Sequence, residues 1–236
     1  MKDSIAIIPA RYGSKRIKQK NIKLFLNKPI ISYTIKNAIK SKLFNKIIVS
    51  TDNKKISHIS KKYGATDIIF RSKKLSNDYA STLDVVKHAI QELEEKKVKF
   101  NYVCCIYPCS VLINSNDLKK SFKKILSPKY KFVFSSLRFT HPIQRGFTIK
   151  KNKIKFLEKN NSRKKRTQDL TDVYHDAGQF YWGRKKVWKK TQQILANNCG
   201  YYLVPHNKAI DIDNIDDWYK AEALYSYYNK KMNYEK

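Results

Sequence analysis

The sequence predicts an α/β fold in which one domain is built on a mostly parallel, twisted β-sheet. Short apolar runs that suit strands alternate with longer amphipathic stretches that suit helices through the first half of the chain, which is the pattern of βα units. A length of 236 residues matches one domain with a sizeable core. A hydrophobic content of 42% and an aromatic content of 13% argue against a disordered chain. We therefore expect residues 1–236 to form a single domain.

The individual elements follow in order along the chain. Apolar, β-branched runs predict strands at 5–10, 46–51, 67–70, 102–107 and 131–137, and the amphipathic stretches between them predict helices at 29–42, 54–63, 82–97 and 115–126. Gly64, directly after the second helix, suits a left-handed C-cap. Later in the chain we expect a strand at 178–183, a helix from Arg184, a strand at 201–204 and a last helix from near Ile215. Together these elements predict a Rossmann-like sheet.

Residues 139–165 differ from the rest because they are basic and carry two short apolar runs around a lysine-rich turn. The runs at 147–149 and 154–156 flank the turn at 150–153, a pattern that predicts an exposed β-hairpin. We expect this segment to be a protruding insertion in the single domain. A hairpin of this kind could exchange contacts with a second copy of the chain, so we expect a homodimer.

The formal net charge of +31 raises the question of nucleic-acid binding. Lysine supplies 42 of the 50 basic residues and arginine only eight, and the lysines are spread along the whole chain. A dedicated nucleic-acid-binding protein more often uses arginine for bidentate contacts and concentrates its charge in a patch. We therefore expect no nucleic-acid partner, and keep a basic nucleic-acid-binding protein as the alternative from another functional class.

The sequence also bears on compartment and redox state. No apolar run approaches the roughly 18 residues that a membrane span requires, and the first residues lead directly into an apolar strand, so we expect no signal peptide, no membrane partner and a cytoplasmic location. Cys104, Cys105, Cys109 and Cys199 lack zinc-site spacing. We expect buried free thiols, with Cys104 and Cys105 on opposite faces of a strand.

The most informative segment is the loop that follows the first predicted strand. It places four cations, Arg11, Lys15, Arg16 and Lys20, within ten residues. The carboxyl end of a strand is where open α/β sheets bind ligands, and several charge-assisted donors together suit a polyphosphate. Gly13 would let the backbone approach a bound group closely. The spacing is that of neither a Walker loop nor a dinucleotide-binding loop, so a solvated basic loop is the competing interpretation.

A second candidate site is the acidic cluster near the end of the chain. Asp211 and Asp213 are two residues apart, so in an extended segment their side chains face the same side. Two carboxylates there can hold Mg²⁺, which prefers few protein oxygens together with water and phosphate oxygens. Asp216 and Asp217 are better explained by the N-terminal cap and first turn of the last helix. A pair of aspartates at this spacing also occurs in loops without function.

Two further segments carry polar groups that could bind a substrate. In the connection at 71–82, Arg71, Asp78 and Ser81 could frame a base or ribose, although Ser81 or Thr82 could simply cap the next helix. The segments 167–169 and 174–183 combine aromatic and amide groups, as sugar sites do, or else form a packed core strand. His175 precedes an aspartate, but no serine or cysteine can be assigned to it, so we do not expect a catalytic triad.

Taken together, these segments resemble the sugar-acid cytidylyltransferases over nearly the whole chain. The run at 8–16 with Lys20 and Asn21 is similar to the nucleotide-binding signature of that family, 49–52 to its second-strand motif, and 211–213 to its metal-binding pair. Segments 102–107, 142–145 and 174–183 resemble the pseudaminic acid branch. The chain departs from that branch at residues 108–112, which could alter the fit of the sugar, and Tyr12 stands where glycine is more common.

The resemblance implies a sheet of the nucleotide-diphospho-sugar transferase type and a role for each matching residue. Electrostatic catalysis would fall to Arg11, Lys15 and Lys20. The CTP-binding residues would be Ala10, Arg11, Gly13, Ser14, Lys15, Lys20, Asn21, Arg71 and Ser81. The sugar-binding residues would be Tyr107, Gln144, Arg145, Arg166, Gln179 and Tyr181. Mg²⁺ would be the cofactor, held by Asp211 and Asp213.

The reaction that the resemblance implies joins CTP to a nonulosonic acid. The anomeric hydroxyl of pseudaminic acid would attack the α-phosphorus, giving CMP-pseudaminic acid and pyrophosphate. A CMP-N-acetylneuraminic acid synthetase or a CMP-Kdo synthetase is the alternative within the family, because these enzymes differ in the sugar pocket.

Overall fold

The computed structural model describes residues 3–157 and 164–234. The strands are β1 Ser4–Ala10, β2 Leu24–Phe25, β3 Lys28–Pro29, β4 Phe44–Thr51, β5 Asp67–Phe70, β6 Tyr102–Ile106, β7 Phe132–Arg138, β8 Phe147–Lys150, β9 Lys153–Phe156, β10 Tyr174–Arg184 and β11 Gly200–Leu203. The helices are α1 Ile30–Ser41, α2 Lys54–Lys62, α3 Thr82–Glu95, α4 Ser115–Ile125, α5 Lys185–Lys190 and α6 Ile215–Tyr234.

The central sheet has seven strands in the order β11-β7-β10-β6-β1-β4-β5. Strands β6, β1, β4 and β5 pair in parallel, as do β7 and β11, while β10 lies antiparallel between β6 and β7. The predicted α/β fold with a mostly parallel sheet is therefore confirmed. Because β10 runs in the opposite direction, its first residues lie at the edge where the parallel strands end.

The core has two layers because both faces of the sheet are covered by helices. Along β1, Ile5 and Ile7 pack on the side of α3 and α5, whereas Ala6 and Ile8 pack on the side of α1, α2 and α4. All four side chains are fully buried. A central parallel strand that is covered on both faces is apolar at consecutive positions rather than at alternate ones, which is why residues 5–8 form a continuous apolar run.

Helix boundaries follow local capping chemistry. Ser81 begins α3 with a capping box, since its hydroxyl accepts from the Asp84 backbone amide and the Asp84 carboxylate accepts from the Ser81 amide. At α6, the Asn214 side chain accepts from the Asp217 amide and the Asp217 carboxylate accepts from the Asn214 amide. The expected capping roles of Ser81 and Asp217 are therefore confirmed. Gly64 follows α2 with a φ of +99°, as expected of a residue after a helix end.

Strands β8 and β9 form a separate two-stranded antiparallel hairpin. Lys151 and Asn152 connect them, both at positive φ, which matches the mirror-image turns of tight hairpins. The apolar side chains of Phe147, Ile149 and Ile154 are at least half exposed. Part of the predicted insertion at 139–165, residues 158–163, lies outside the described residues. None of the helices in the described ranges combines the length and apolar character needed to cross a bilayer.

The four cysteines are free thiols in two environments. Cys104 and Cys105 are fully buried and pack in the two opposite core layers, as expected. Cys109 and Cys199 are only partly buried, so the prediction of burial was wrong for these two. Both lie in loops next to strands rather than within one, which leaves them closer to the protein surface.

The burial of each sulfur atom, rather than that of the whole residue, predicts how the thiols react. Burial raises the pKa of Cys104 and Cys105 well above the ordinary value and that of Cys109 to about 12, so little nucleophilic thiolate forms near neutral pH. We expect an aromatic disulfide reagent to modify one thiol quickly in the native protein, and we expect Cys199→Ser to remove that phase. Denatured protein should show all four thiols. A fast phase that persists in Cys199→Ser would contradict the assignment.

Candidate active site

A cleft of about 480 Å³ opens at the edge where the parallel strands end. Its volume falls in the range of sites that bind small molecules. The cleft is formed by the loop after β1, the connection from β5 to α3, the loop after β6, the first residues of β10 and the segment before α6. Its lining residues are Pro9, Arg11, Ser14, Lys15, Arg16, Lys20, Asn21, Arg71, Asp78, Ala80, Thr82, Val85, Tyr107, Pro108, Cys109, Gly178, Gln179, Ile210 and Asp211.

The basic loop after β1 is held at both ends by hydrogen bonds between side chains and the backbone. The Tyr12 amide donates to the Asp52 carboxylate at the end of β4, at 2.9 Å, and the Asn21 side-chain amide donates to the Arg11 carbonyl, at 2.8 Å. Asn21 is itself buried. These contacts explain why an aspartate follows the second long strand: it fixes the start of the loop while the basic side chains remain in the cleft.

The four loop cations gather around two carboxylates. Arg11 and Lys15 contact the two different oxygens of Asp78 at 2.6 and 2.5 Å. Arg16 contacts Asp213 at 2.6 Å, and Lys20 lies 4.0 Å from the same oxygen. Hydrogen bonds from Lys15 and then Arg11 lower the pKa of Asp78 below its ordinary value. The loop cations therefore form two groups, one on Asp78 and one on Asp213.

The acidic segment before α6 contacts the basic loop and contributes Ile210 and Asp211 to the cleft. The Ile212 side chain is buried in the core. In an extended segment its two neighbours, Asp211 and Asp213, point away from that side, as the sequence predicts. The Lys20 ammonium donates to the Ile212 carbonyl at 2.5 Å and joins this segment to the basic loop. Burial and then the charge of Asp213 raise the pKa of Asp211. Asp211 thus sits in an environment that favours a nearby cation.

Arg71 forms the inner end of the cleft. It is 92% buried, and its Nε atom has no hydrogen-bond partner within the described part of the chain. Burial lowers the pKa of its guanidinium. Because Arg71 lines the cleft, its guanidinium can donate to an acceptor on a bound ligand. Ser81, by contrast, is occupied as the cap of α3 and does not line the cleft.

A second cavity of about 400 Å³ adjoins the first and shares Tyr107, Gly178 and Asp211 with it. The Tyr181 hydroxyl donates to Asp176 within this cavity, and the Tyr107 and Thr82 hydroxyls are 2.8 Å apart. Burial raises the pKa of Tyr107 to about 12, so its phenol stays neutral. The remaining lining residues are Leu137, His175 and Ala177. Neutral hydroxyls next to an acceptor suit a polyhydroxylated ligand.

Gln179 supports the junction of the two cavities. It is buried, and its side-chain amide donates to the Ala177 and Ile210 carbonyls at 2.8 and 3.2 Å. The backbone carbonyl of Gln179 accepts from the Tyr107 amide and from the Ser110 hydroxyl, both at 2.9 Å. Gln179 thus joins β10 to the loop after β6 and to the acidic segment.

The structure brings many of the predicted site residues together, but not all. Those that line one of the two cavities are Arg11, Ser14, Lys15, Lys20, Asn21, Arg71, Tyr107, Gln179, Tyr181 and Asp211. Asp213 lines neither cavity and contacts Arg16. Ala10 is buried in the core, and Gly13 has open space where a side chain would project. His175 lines the second cavity, with no serine or cysteine among the other lining residues.

Three predicted sugar-binding residues lie outside both cavities. Gln144 is buried and donates to the Thr171 carbonyl at 2.8 Å. Arg145 donates to the Lys165 carbonyl at 2.7 Å, and Arg166 is exposed. All three belong to the segments on either side of the hairpin. Asp78, which the sequence analysis considered for a base or ribose, lines the cleft, as does Thr82, which it considered only as a helix cap.

Comparison with known proteins agrees with this geometry. The family model described as cytidylyltransferase matches residues 5–230. The chain is 40% identical to the pseudaminic acid cytidylyltransferase of Campylobacter jejuni, over 98% of each chain. It is 38% identical to a Helicobacter pylori protein named pseudaminic acid cytidylyltransferase and UDP-2,4-diacetamido-2,4,6-trideoxy-beta-L-altropyranose hydrolase, over 97% of this chain and 44% of that one.

Among solved structures, the fold is similar to that of CMP:2-keto-3-deoxy-manno-octonic acid synthetase complexed with CTP. The TM-score is 0.69 at 16% identity, and the match covers 94% of this chain and 98% of that one. At this identity the likeness concerns the fold alone.

Proposed function

Because this chain belongs to the cytidylyltransferase family, we propose that it transfers CMP from CTP to the anomeric hydroxyl of pseudaminic acid and releases pyrophosphate. The chain is a nucleotidyltransferase. The observation that carries the proposal is the convergence of four loop cations with Arg71 and Asp211 on one cleft that continues into a hydroxyl-lined cavity. The 40% identity to the Campylobacter jejuni protein supports the choice of sugar.

The basic loop provides the groups that a triphosphate needs. Arg11 and Lys15 contact Asp78 whereas Lys20 lies near Asp213, so the two groups would contact different phosphates of one nucleotide. Cations that are already positioned stabilise the charge that develops on departing pyrophosphate. Ser14 and Asn21 add neutral hydrogen-bonding groups beside them. The guanidinium of Arg71, which lines the cleft, would donate to an acceptor on cytosine or ribose.

The donor set of the acidic segment fits Mg²⁺. The described residues contain no group of three or more His, Cys, Asp or Glu side chains that could hold a metal. Asp211 and Asp213 would instead supply two hard oxygen donors, one on each side of buried Ile212 in the sequence. Mg²⁺ characteristically uses one or two carboxylates and completes its shell with water and phosphate oxygens. When bound, it would polarise the phosphates and orient them for in-line attack. Lys20 would hold the segment in place through the Ile212 carbonyl.

The sugar would occupy the second cavity, where its anomeric hydroxyl can face the α-phosphate across Asp211. Tyr107 and Tyr181 would contact its hydroxyl and amide groups, and Gln179 would keep the wall between the cavities in place. Arg145 and Arg166 line neither cavity of their own chain; in a homodimer they would reach the sugar site of the second copy. The exposed apolar side chains of the hairpin support the expected homodimer. A cytoplasmic location and the absence of a nucleic-acid partner stay predictions.

The direct test of this function is pyrophosphate release from CTP and Mg²⁺ with pseudaminic acid or N-acetylneuraminic acid in parallel. We expect release with pseudaminic acid and at most a small fraction of that rate with N-acetylneuraminic acid, because the chain resembles the pseudaminic acid enzymes along its whole length. Release only with N-acetylneuraminic acid would contradict the assigned sugar. No release with either acid from folded protein would contradict the proposed reaction with both.

Replacing Asp211 separates the metal role from folding. Its pKa is raised in the fold, so the ionised side chain opposes folding at neutral pH, and Asp211→Asn should keep or increase the melting temperature. The same change should lower kcat by about 100- to 1000-fold, because it removes a metal ligand at the reacting phosphate.

The matched control is Asp216→Asn, which removes a carboxylate from the first turn of α6. We expect this variant to keep wild-type kcat. Full activity in Asp211→Asn, or an equal loss in Asp216→Asn, would contradict the role of Asp211.

A further inference from the structure

One carboxylate in the cleft has no place in the reaction proposed above. Asp78 lines the cleft, and its two oxygens contact the two cations that we assign to the triphosphate, Arg11 and Lys15. The residues are 67 and 63 positions apart in the chain, so the contact is tertiary rather than local. The arrangement of one anion with two oxygens between two cations is the arrangement that a phosphate would adopt there.

The loop around Asp78 presents it towards the cleft. The Asn77 side chain accepts from the Tyr79 and Ala80 amides, each at 2.9 Å, and so fixes the turn in which Asp78 lies. The capping box of Ser81 anchors the chain immediately afterwards. Tyr79 next to Asp78 is 94% exposed, so this turn is not packed into the core. Asp78 is therefore held at the cleft by local hydrogen bonds in an exposed turn that is separate from the sheet.

The Asp78 carboxylate and a bound triphosphate would compete for the same two cations. Arg11 and Lys15 cannot keep their close contacts with Asp78 while both donate fully to a triphosphate, because a carboxylate and a phosphate would then occupy the same space and repel each other. The contacts are solvent-exposed: 81% of the Lys15 side chain and 39% of the Asp78 side chain are accessible. Exposed pairs of this kind are weak, so a multiply charged ligand can displace the carboxylate.

We propose that Asp78 is an internal counter-ion that occupies the phosphate position between Arg11 and Lys15 in the empty enzyme and is displaced by the triphosphate of CTP. The inference rests on the proposed function for the identity of the nucleotide. The carboxylate lowers the affinity of the site for polyphosphate, and it returns to the two cations as pyrophosphate leaves. Asp78 thus favours product release at the expense of tight CTP binding.

The test is calorimetric binding of CTP and of inorganic tripolyphosphate to wild-type protein and to Asp78→Asn. Removing the competing charge should tighten binding of both ligands by about 3- to 10-fold, as expected for the loss of weak exposed pairs. Asp78→Ala should shift both affinities in the same direction. Inhibition of CMP transfer by pyrophosphate should become stronger by a similar factor. Because tripolyphosphate binding needs no catalysis, the result can be interpreted even if CMP transfer is not observed.

Glu95→Gln is the matched control for net charge. Glu95 is exposed at the far end of α3, about 20 Å along the helix from Thr82 in the cleft. This control should leave both affinities unchanged. Unchanged or weaker binding in Asp78→Asn would overturn the proposal, because it would mean that Asp78 orients the cations for the ligand. Equal tightening in Glu95→Gln would also overturn it, because the effect would then reflect overall charge.

Discussion

The insertion of β10 antiparallel between β6 and β7 is the constraint on which the rest of the site depends. In a fully parallel sheet, only the loops that follow the strands would reach the binding edge. Reversing one strand brings the beginning of β10 to that edge, so that Gly178 and Gln179 stand beside Tyr107. The Gln179 side chain then reaches the Ile210 carbonyl and positions the acidic segment. A nucleotide cleft and a hydroxyl-lined cavity therefore share one wall.

Charge balance explains how such a basic cleft folds. Four cations within ten residues would repel one another if they faced a dry pocket unpaired, but each group has a carboxylate, Asp78 for one and Asp213 for the other. The two carboxylates differ in what binding does to them. Asp213 lies on the segment that would hold a metal, so a cation can join it, whereas Asp78 must give way to an anion. The two carboxylates thus offset part of the positive charge of the empty site, which stays net positive and suits an anionic ligand.

The sequence predicted features that depend on local pattern. Alternating apolar runs gave the strands of the parallel sheet, and the basic loop and the aspartate pair could be recognised from their composition and from the family resemblance. The apolar pattern predicts that β10 begins at Gly178, whereas the strand begins at Tyr174. The prediction starts too late because polar residues at 174–176 interrupt the apolar run. The direction of β10 could not be read from a single sequence. The contacts of Asp78 with Arg11 and Lys15 join distant segments, and no periodicity records such pairs. The positions of Gln144, Arg145 and Arg166 likewise depend on how the hairpin region packs.

The central claim is that one cleft binds CTP with its triphosphate among the loop cations and its α-phosphate towards Asp211. The most direct measurement is a crystal structure of the protein with CTP and Mg²⁺ in the absence of sugar. Our account predicts phosphate oxygens within hydrogen-bonding distance of Arg11 and Lys15, with the nucleoside against Arg71. A nucleotide bound elsewhere, or one in this cleft with its triphosphate directed away from the basic loop, would contradict the account.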